Sequence, residues 1–455
     1  MKDRDLRSYL EDLRKKAPEE VVSVNRKVDC RFELPALLAR LETQDRYPSI
    51  LFNRVNDYKM PVLSNLFATR KRLALAMGCD EKNLNEVYRE REDHRTEPEL
   101  VGTGPVKEII LTKDEVDLTK LPIVTHNEKD AGPYITAGAM VLKDPETKKR
   151  NIGMYRHMLH GPKQLGVHFA ETSHSNLIYE KHVKRGKPME AAITLGMHPL
   201  FYLGVLSFVP YGVDEYTIVG GLMEEPLRLV KCETVDLEVP STAEIVIEGI
   251  IDPQKRKAEG PYGEFTTLYG KQLMNPVVEV TAMTMRKNPI YLDIFSGHFD
   301  QQLLGGTPRL SSIYKAVQVA CPTVKDVFMP PSGCCRLTCY LSIEKRHEGE
   351  AKNAACAAFA ADPFIKYVVV VDSDIDIFND SSIWRAMATR VHVDEDVFYI
   401  RNAKGHPLDP MAQRGFLVGK VGIDATKRMI GYPETITVPG FAELDVNQYL
   451  ERDRS

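Results

Sequence analysis

"AEIVIEGII" (residues 243–251) and "VVEVTAMTM" (277–285) decide the fold of this chain, together with the "EGPYGEF" (259–265) that lies between them. The two outer stretches are β-branched or alternate apolar with polar residues, the pattern of half-buried strands. Between them, Gly260-Pro261-Tyr262-Gly263 has Pro at the second turn position and Gly at the fourth, which predicts a type I turn. A turn that tight folds its flanks together, so Glu259 and Glu264 become neighbours, with Cβ atoms about 5 Å apart. Two carboxylates at that range do not both ionise cheaply, so one pKa rises. A carboxylic acid kept protonated near neutral pH is a usable proton donor. The same residues also read as an ordinary polar hairpin with both acids in water.

Outward from this centre, strand signals dominate from about 131 to 295. Asp144-Pro145 marks a hairpin turn between "ITAGAMVL" (135–142) and "NIGMY" (151–155). Towards the N-terminus, 101–125 is extended and Pro-punctuated, and 31–90 reads as short helices and strands. Leu6, Leu10 and Leu13 fall at helical spacing within 5–16. After about 305 strands and helices alternate. "SSIYKAVQVA" (311–320) and the Ala-rich "EGEAKNAACAAFAA" (348–361) are predicted helices. "KYVVVVDSDIDIF" (366–378) is a buried-type strand ending in acids, and "SSIWRAMATRV" (381–391) a helix with Ser381 as N-cap. The predicted fold is mixed α/β: an N-terminal α/β region (1–110), a β-rich domain (111–300) and a C-terminal α/β region with a tail (301–455).

Composition narrows the function classes. A chain of 455 residues with 43% hydrophobic content holds several sizeable cores. A net charge of −4 argues against a general nucleic-acid or membrane-surface binder. No apolar run approaches the roughly 18 residues of a membrane span. The opening "MKDRDLRSYLEDLRKK" is charged throughout and unlike a secretory signal. Eight cysteines in a chain this long do not make a disulfide framework. Cys334, Cys335 and Cys339 lack a C-x-x-C pair and read as thiols rather than a zinc site. The expectation is a soluble cytoplasmic protein. No G-x-G-x-x-G, G-x-x-x-x-G-K-[ST] or G-x-S-x-G motif is present.

A second stretch, "NIGMYRHMLHGPKQLGVHF" (151–169), supplies partners for the two glutamates. Arg156 offers a planar fork that matches a carboxylate at two points. An arginine between two glutamates keeps one ionised and leaves the other free to titrate. Asn151, His174 and Glu215 are ligand types that Mn²⁺ or Mg²⁺ accepts. His157 and His160 read as structural.

"NIGMYR" (151–156), "DEYTIVGGL" (214–222) and "EGPYGEF" (259–265), supported by "KYVVVVDSDID" (366–376) and "WRAMATRVH" (384–392), resemble the UbiD-type (de)carboxylases that use prenylated FMN. The resemblance runs from about 5 to 430, in family order. It implies a split-barrel flavin-binding domain and a second α/β domain that makes the oligomer contact, giving a homodimer or a multiple of dimers. It implies a catalytic set of Glu259, Arg156 and Glu264. Arg156 grips the substrate carboxylate, Glu259 positions Arg156, and Glu264 returns a proton to the carbon that lost CO₂. It implies a metal set of Asn151, His174 and Glu215 holding Mn²⁺ (or Mg²⁺), with K⁺ close by, against the cofactor phosphate. The cofactor would be lined by Asn151, Ile152, Gly153, Met154, Tyr155 and Arg156, by His168, Phe169 and Ala170, and by Ser173 and His174. Lys366 matches a lysine near the cofactor, although it also reads as a strand-start surface residue. A flavin prenyltransferase would supply the cofactor.

The reaction implied is reversible non-oxidative decarboxylation of an aromatic or heteroaromatic acid. The alternatives are a split-barrel flavin reductase, which would not need the two glutamates, and a non-catalytic subunit of a larger carboxylase complex. A retaining glycosidase also wants paired carboxylates, but it leaves Asn151, His174 and Glu215 without a task. For the substrate pocket the expectation is His298, at the exit of a strand, and Arg309, after a Gly-Gly-Thr-Pro turn. Burying either unpaired is costly, so both would read a polar group on the substrate; both also read as groups paired with Asp300 or with surface acids.

Overall fold

The computed structural model describes residues 4–413, 415–440, 444 and 449. Its spine is one long antiparallel ribbon. Strand Ile245–Glu259 pairs along Leu273–Met285, with register shifts between Glu248 and Gly249 and between Ile251 and Arg256. Around it a nine-stranded sheet runs in the order Tyr134–Ile135, His157–Gly161, Gln164–Val167, Leu273–Met285, Ile245–Glu259, Met189–Leu195, Ala139–Lys143, Arg150–Met154. Ile109–Thr112 adds a second partner to Leu273–Met285. Every pairing in this sheet is antiparallel, an arrangement compatible with a split barrel.

The sheet buries both faces because successive side chains point to opposite sides. Val141, Ala192 and Val246 enter one core, while their neighbours Met140, Ile193 and Ile247 enter the other. The expected hairpin at Asp144 forms: its carboxylate accepts from the N–H groups of Glu146 and Thr147, and Ala139–Lys143 pairs with Arg150–Met154.

The stretch 131–295 is less uniformly β than its composition suggests. Helices His174–Arg185, Pro199–Val205 and Glu215–Met223 interrupt it. Every residue of the last two is buried, so neither shows the one-sided apolar stripe by which a helix is read from sequence.

Two smaller sheets flank the centre. Val21–Val24, Ser49–Phe52, Val62–Ser64 and Tyr291–Leu292 form the first, so the chain leaving the central sheet is stitched into the N-terminal region. The helix predicted at 5–16 runs from Leu6 to Lys16 and buries Leu6, Tyr9, Leu10 and Leu13. The C-terminal sheet has the order Val324–Phe328, Thr338–Ile343, Tyr367–Asp372, Leu417–Ala425, Val397–Lys404. Helices Glu350–Ala361 and Asp380–Arg390 contribute to its two cores. The N-cap of the second is Asn379, whose side chain accepts from Ser381 and Ser382, rather than Ser381 itself. All eight cysteines are free. No helix of the described residues is long and apolar enough to cross a membrane.

Two turn expectations are overturned. "GGTP" (305–308) is not a turn: helix Phe299–Ala320 runs straight through it, with Pro308 inside. The glycines serve close approach instead. A Cβ on Gly305 would stand 1.9 Å from Arg336 Nη2, and one on Gly306 would stand 2.8 Å from Cys335 Cβ. "EGPYGEF" is not a type I turn either. The Gly260–Pro261 peptide is cis and Gly260 has φ +90°. The segment enters a longer connection that carries its own two-stranded ladder, Tyr262–Gly263 against Tyr269–Gly270.

Candidate active site

Arg156 leaves the end of strand Arg150–Met154 and lies between the two glutamates. Its Nε donates to Glu259 Oε1 at 2.9 Å and its Nη2 to Glu259 Oε2 at 3.1 Å, a bidentate pair. Its Nη1 donates to Glu264 Oε1. The guanidinium carbon sits 4.7 Å from the centre of the Tyr262 ring. The two acids therefore meet on one guanidinium. Glu259 is the last residue of its strand, and Glu264 returns towards it after the cis peptide.

The loop is pinned at many points. Gly260 N–H donates to the Tyr134 hydroxyl, Gly263 N–H to Asp130, and the Ser296 hydroxyl to Gly263 O. Gln302 Nε2 donates to Phe265 O at 2.9 Å. Gly270 packs on the Glu264 carboxyl, where a Cβ would come within 2.9 Å of Oε1. Both glutamates are buried, Glu259 fully.

Burial acts on both carboxyls, with opposite outcomes. For Glu264 burial raises the pKa, and the charges of Glu259 and Asp130 add to it against Arg156. For Glu259 burial also raises, but the bidentate Arg156 and the Tyr134 hydroxyl outweigh it and hold the carboxyl below its usual range. The pair thus divides into a carboxyl that loses its proton more readily than usual and one that holds it more tightly.

Arg156 and Glu264 line a cavity of about 250 Å³. Its lining includes Met154, Tyr155, Arg156, His168 and Ala170 together with Tyr262, Glu264, Ile294, Leu304, Gly305 and Arg336. Burial pushes the His168 pKa down, and Arg156 adds to that, so the imidazole is neutral. Phe169, beside it in sequence, packs edge-on to Tyr155 with ring centres 5.1 Å apart.

Asn151 forms a second focus, two strand residues before the apolar wall. Its Nδ2 donates to Glu215 Oε1 at 2.7 Å, and its Oδ1 accepts from the Ser175 hydroxyl at 2.8 Å. Ile152 N–H donates to Glu215 Oε2 at 2.8 Å. Asn151 thereby touches the first turns of helices His174–Arg185 and Glu215–Met223. Ser173 caps the first by accepting from Asn176 N–H. Asp214 caps the second and is itself clamped by Arg150 at 2.6 and 2.9 Å. Glu215 is buried without an ion-pair partner among the described residues, and burial pushes its carboxyl up to about 8. His174 is partly buried, edge-on to Tyr211 at 5.3 Å, with its pKa lowered by burial. Among the described residues no group of three or more His, Cys, Asp or Glu side chains is placed to hold a metal. The predicted set contains only two residues of those types.

Other expected site residues lie elsewhere. His298 pairs with Glu42 at 2.7 Å and stacks on Phe295 at 3.8 Å. Arg309 pairs with the buried Asp362 and lies over the Phe208 and Phe364 rings, at 4.3 and 4.6 Å. Neither is among the residues that line this cavity, and the buried Arg309 Nε has no hydrogen-bond partner among the described residues. Lys366 pairs with the buried Asp409 at 3.0 Å. His157 is fully buried and held neutral, its pKa pushed down to about 3, in keeping with a structural role.

Three residues escape the sequence reading. Arg336 reaches the cavity from the C-terminal region with no carboxylate partner among the described residues. Among the described residues its guanidinium donates to the carbonyls of Gln302 and Cys335 alone, and burial, with Arg309 nearby, lowers its pKa to about 9. An arginine inside "GCCRLTCY" is the one sequence signal that could have marked it. Asn275 and Tyr134 both contact Glu259, and only the strand register reveals that.

Comparison with known proteins identifies relatives along nearly the whole chain. Models of the 3-octaprenyl-4-hydroxybenzoate carboxy-lyase N-terminal domain, Rift-related domain and C-terminal domain match residues 12–91, 99–299 and 302–425. An anhydromevalonate phosphate decarboxylase of Methanothermobacter thermautotrophicus is 36% identical over 425 residues, covering 92% of this chain and 96% of its own. The structure of HmfF from Pelotomaculum thermopropionicum, a UbiD-class enzyme in complex with FMN, superposes with a TM-score of 0.93 at 40% identity, covering 98% of this chain and 100% of its own. An evolved dimeric form of HmfF, in complex with prFMN, superposes with a TM-score of 0.90 at 38% identity, with the same coverage.

The carboxyl assignment predicts a pH signature. Glu264 binds its proton more tightly in the folded protein, so its contribution is full below the ordinary value of 4.5 and is lost as pH rises through the raised folded value. Glu259 behaves oppositely: its contribution is lost as pH falls through its depressed folded value. Relative to Glu264→Gln, the parent should therefore lose melting temperature as pH climbs from about 4.5. Thermal unfolding of both proteins across a pH series checks this, and a constant difference between them would rule out an elevated Glu264.

Proposed function

The chain belongs to the UbiD family of carboxy-lyases, and from that premise we propose that it catalyses reversible non-oxidative decarboxylation of an aromatic or heteroaromatic acid with prenylated FMN. The observation that carries the reading is the Glu259–Arg156–Glu264 set, whose Arg156 and Glu264 line a mainly apolar cavity. A flavin reductase has no use for two buried glutamates on one guanidinium.

The residues fit the cofactor. The cavity is mainly apolar with a few convergent polar groups, as a flavin ring requires. Beyond its end, two helix N-termini meet at Asn151, a setting that favours a phosphate. Glu215, buried and without a cationic partner among the described residues, suits a divalent ion, with Asn151 and His174 as co-ligands for Mn²⁺ or Mg²⁺ and K⁺ close by. When bound, prenylated FMN supplies the electron sink that loss of CO₂ from an unsaturated carbon demands.

The protein's own groups do the rest. Glu259 keeps two guanidinium nitrogens of Arg156 occupied and fixes its plane. Protonation of Glu264 weakens its hold on Arg156 Nη1, which then meets the substrate carboxylate. The carboxyl so protonated delivers its proton to the carbon vacated by CO₂.

Arg336 favours a narrower substrate reading, an unsaturated acid with a second anionic group. A buried guanidinium facing the cavity without a carboxylate of its own is costly unless the ligand provides one. The relative named for anhydromevalonate phosphate acts on a phosphorylated acid, and a heteroaromatic dicarboxylate offers the same charge. In the cell we place the protein in the cytoplasm beside a flavin prenyltransferase. Residues 111–300 hold the cofactor, and 301–455, where Trp384 and Tyr399 are exposed, pair two copies.

Three outcomes are expected. Glu264→Gln keeps flavin but loses about 10²–10⁴-fold in decarboxylation rate; turnover within tenfold of the parent would refute the proton-donor role. Glu215→Ala loses divalent metal and flavin together, read by metal analysis and native mass spectrometry; full flavin occupancy without metal would refute the bridge. Arg336→Leu lowers kcat/KM for doubly anionic acids by roughly 1–3 kcal/mol, tenfold or more, and leaves singly charged acids unchanged. Equal losses for both classes would remove Arg336 from recognition.

A further inference from the structure

Asn275 has no part in the scheme above, yet it touches two members of the site. It lies on Leu273–Met285, the strand between Gln164–Val167 and Ile245–Glu259. The register pairs Lys257 with Asn275 and Glu259 with Leu273, which makes Asn275 a diagonal neighbour of Glu259 on the same face. On the other side Gly166 pairs with Val277, and the same register continued two residues brings His168 opposite Asn275.

The side chains follow the register. Asn275 is buried, and its Nδ2 stands 2.7 Å from Glu259 Oε2 and 3.2 Å from His168 Nδ1. An amide nitrogen carries two hydrogens, enough to donate to both. The reverse amide orientation would set Oδ1 against an ionised carboxylate, so the charge on Glu259 fixes which end faces inward. With Nδ1 accepting, a neutral imidazole must carry its proton on Nε2. Burial and Arg156 both keep His168 neutral.

We infer that Asn275 is a positioning residue that ties the Glu259–Arg156 pair to His168 and locks His168 in the Nε2–H tautomer. His168 then presents a donor, not an acceptor, to the cavity it lines. On the reading above, that donor meets an acceptor of the flavin ring. This last link rests on the proposed cofactor; the tautomer does not.

The test uses full-length protein carrying ring-¹⁵N histidine, with and without prenylated FMN, the His168 signals being identified by their loss in His168→Gln. In the parent, Nδ1 should resonate as an unprotonated nitrogen and Nε2 as a protonated one. Asn275→Asp keeps the shape but offers His168 an acceptor, so Nδ1 should become protonated. A parent with protonated Nδ1 overturns the inference even if no variant folds, and so does an Asn275→Asp protein with an unchanged pattern. In folded Asn275→Asp the visible spectrum of bound flavin should also shift; an unshifted spectrum with a switched tautomer refutes the cofactor link alone. Failure of the Glu264→Gln expectation with the tautomer intact would fall on the reaction and not on Asn275.

Discussion

One guanidinium shared by two buried carboxylates is the constraint on which the site depends. Arg156 cannot be buried without counter-charge, and neither can Glu259 or Glu264 ionise without it. Three groups on two acids and one base leave a formal excess of one negative charge. The structure resolves that excess through unequal contacts: Glu259 is gripped at two points, while Glu264 is held at one and takes the cost of burial as a raised pKa. Two carboxyls with opposite pKa shifts thus arise from one residue type.

That asymmetry needs a rigid frame. Glu259 ends a fifteen-residue strand whose partner carries Asn275 beneath it, and the loop that returns Glu264 is fixed by Tyr134, Asp130, Ser296 and Gln302. These pins come from three different parts of the chain. The Asn151 focus is built likewise, on helix caps at Ser173 and Asp214 and on the Arg150 clamp. The central sheet supplies the strands for both, and the C-terminal region adds Arg336 to the cavity wall, its close approach allowed by Gly305.

Much of this was legible in the sequence. Alternating or β-branched runs at 243–251 and 277–285 fix the ribbon, helical spacing fixes Leu6–Lys16, and an Ala-rich composition fixes Glu350–Ala361, because local backbone geometry and propensity dictate those patterns. The Glu-Arg-Glu set and the neighbourhood of Asn151 with Glu215 were legible through motif order. Fully buried helices such as Pro199–Val205 were not, since burial on every side erases periodicity.

What the sequence by itself determined is which residue types could do chemistry and which segments could be strands. Only the tertiary structure decided which charges meet. Gly-Gly-Thr-Pro reads as a turn until Arg336 and Cys335, some thirty residues on, fill the space its glycines leave. The pairing of His298 with Glu42 and of Arg309 with Asp362, and the place of Arg336 on the cavity wall, are written nowhere in the local sequence. Asn275 reads as nothing until register sets it between Glu259 and His168. The physical reason is common to all three: electrostatic and packing partners are chosen by distance in space, and the chain's own order carries no record of which distant segments the sheets bring side by side.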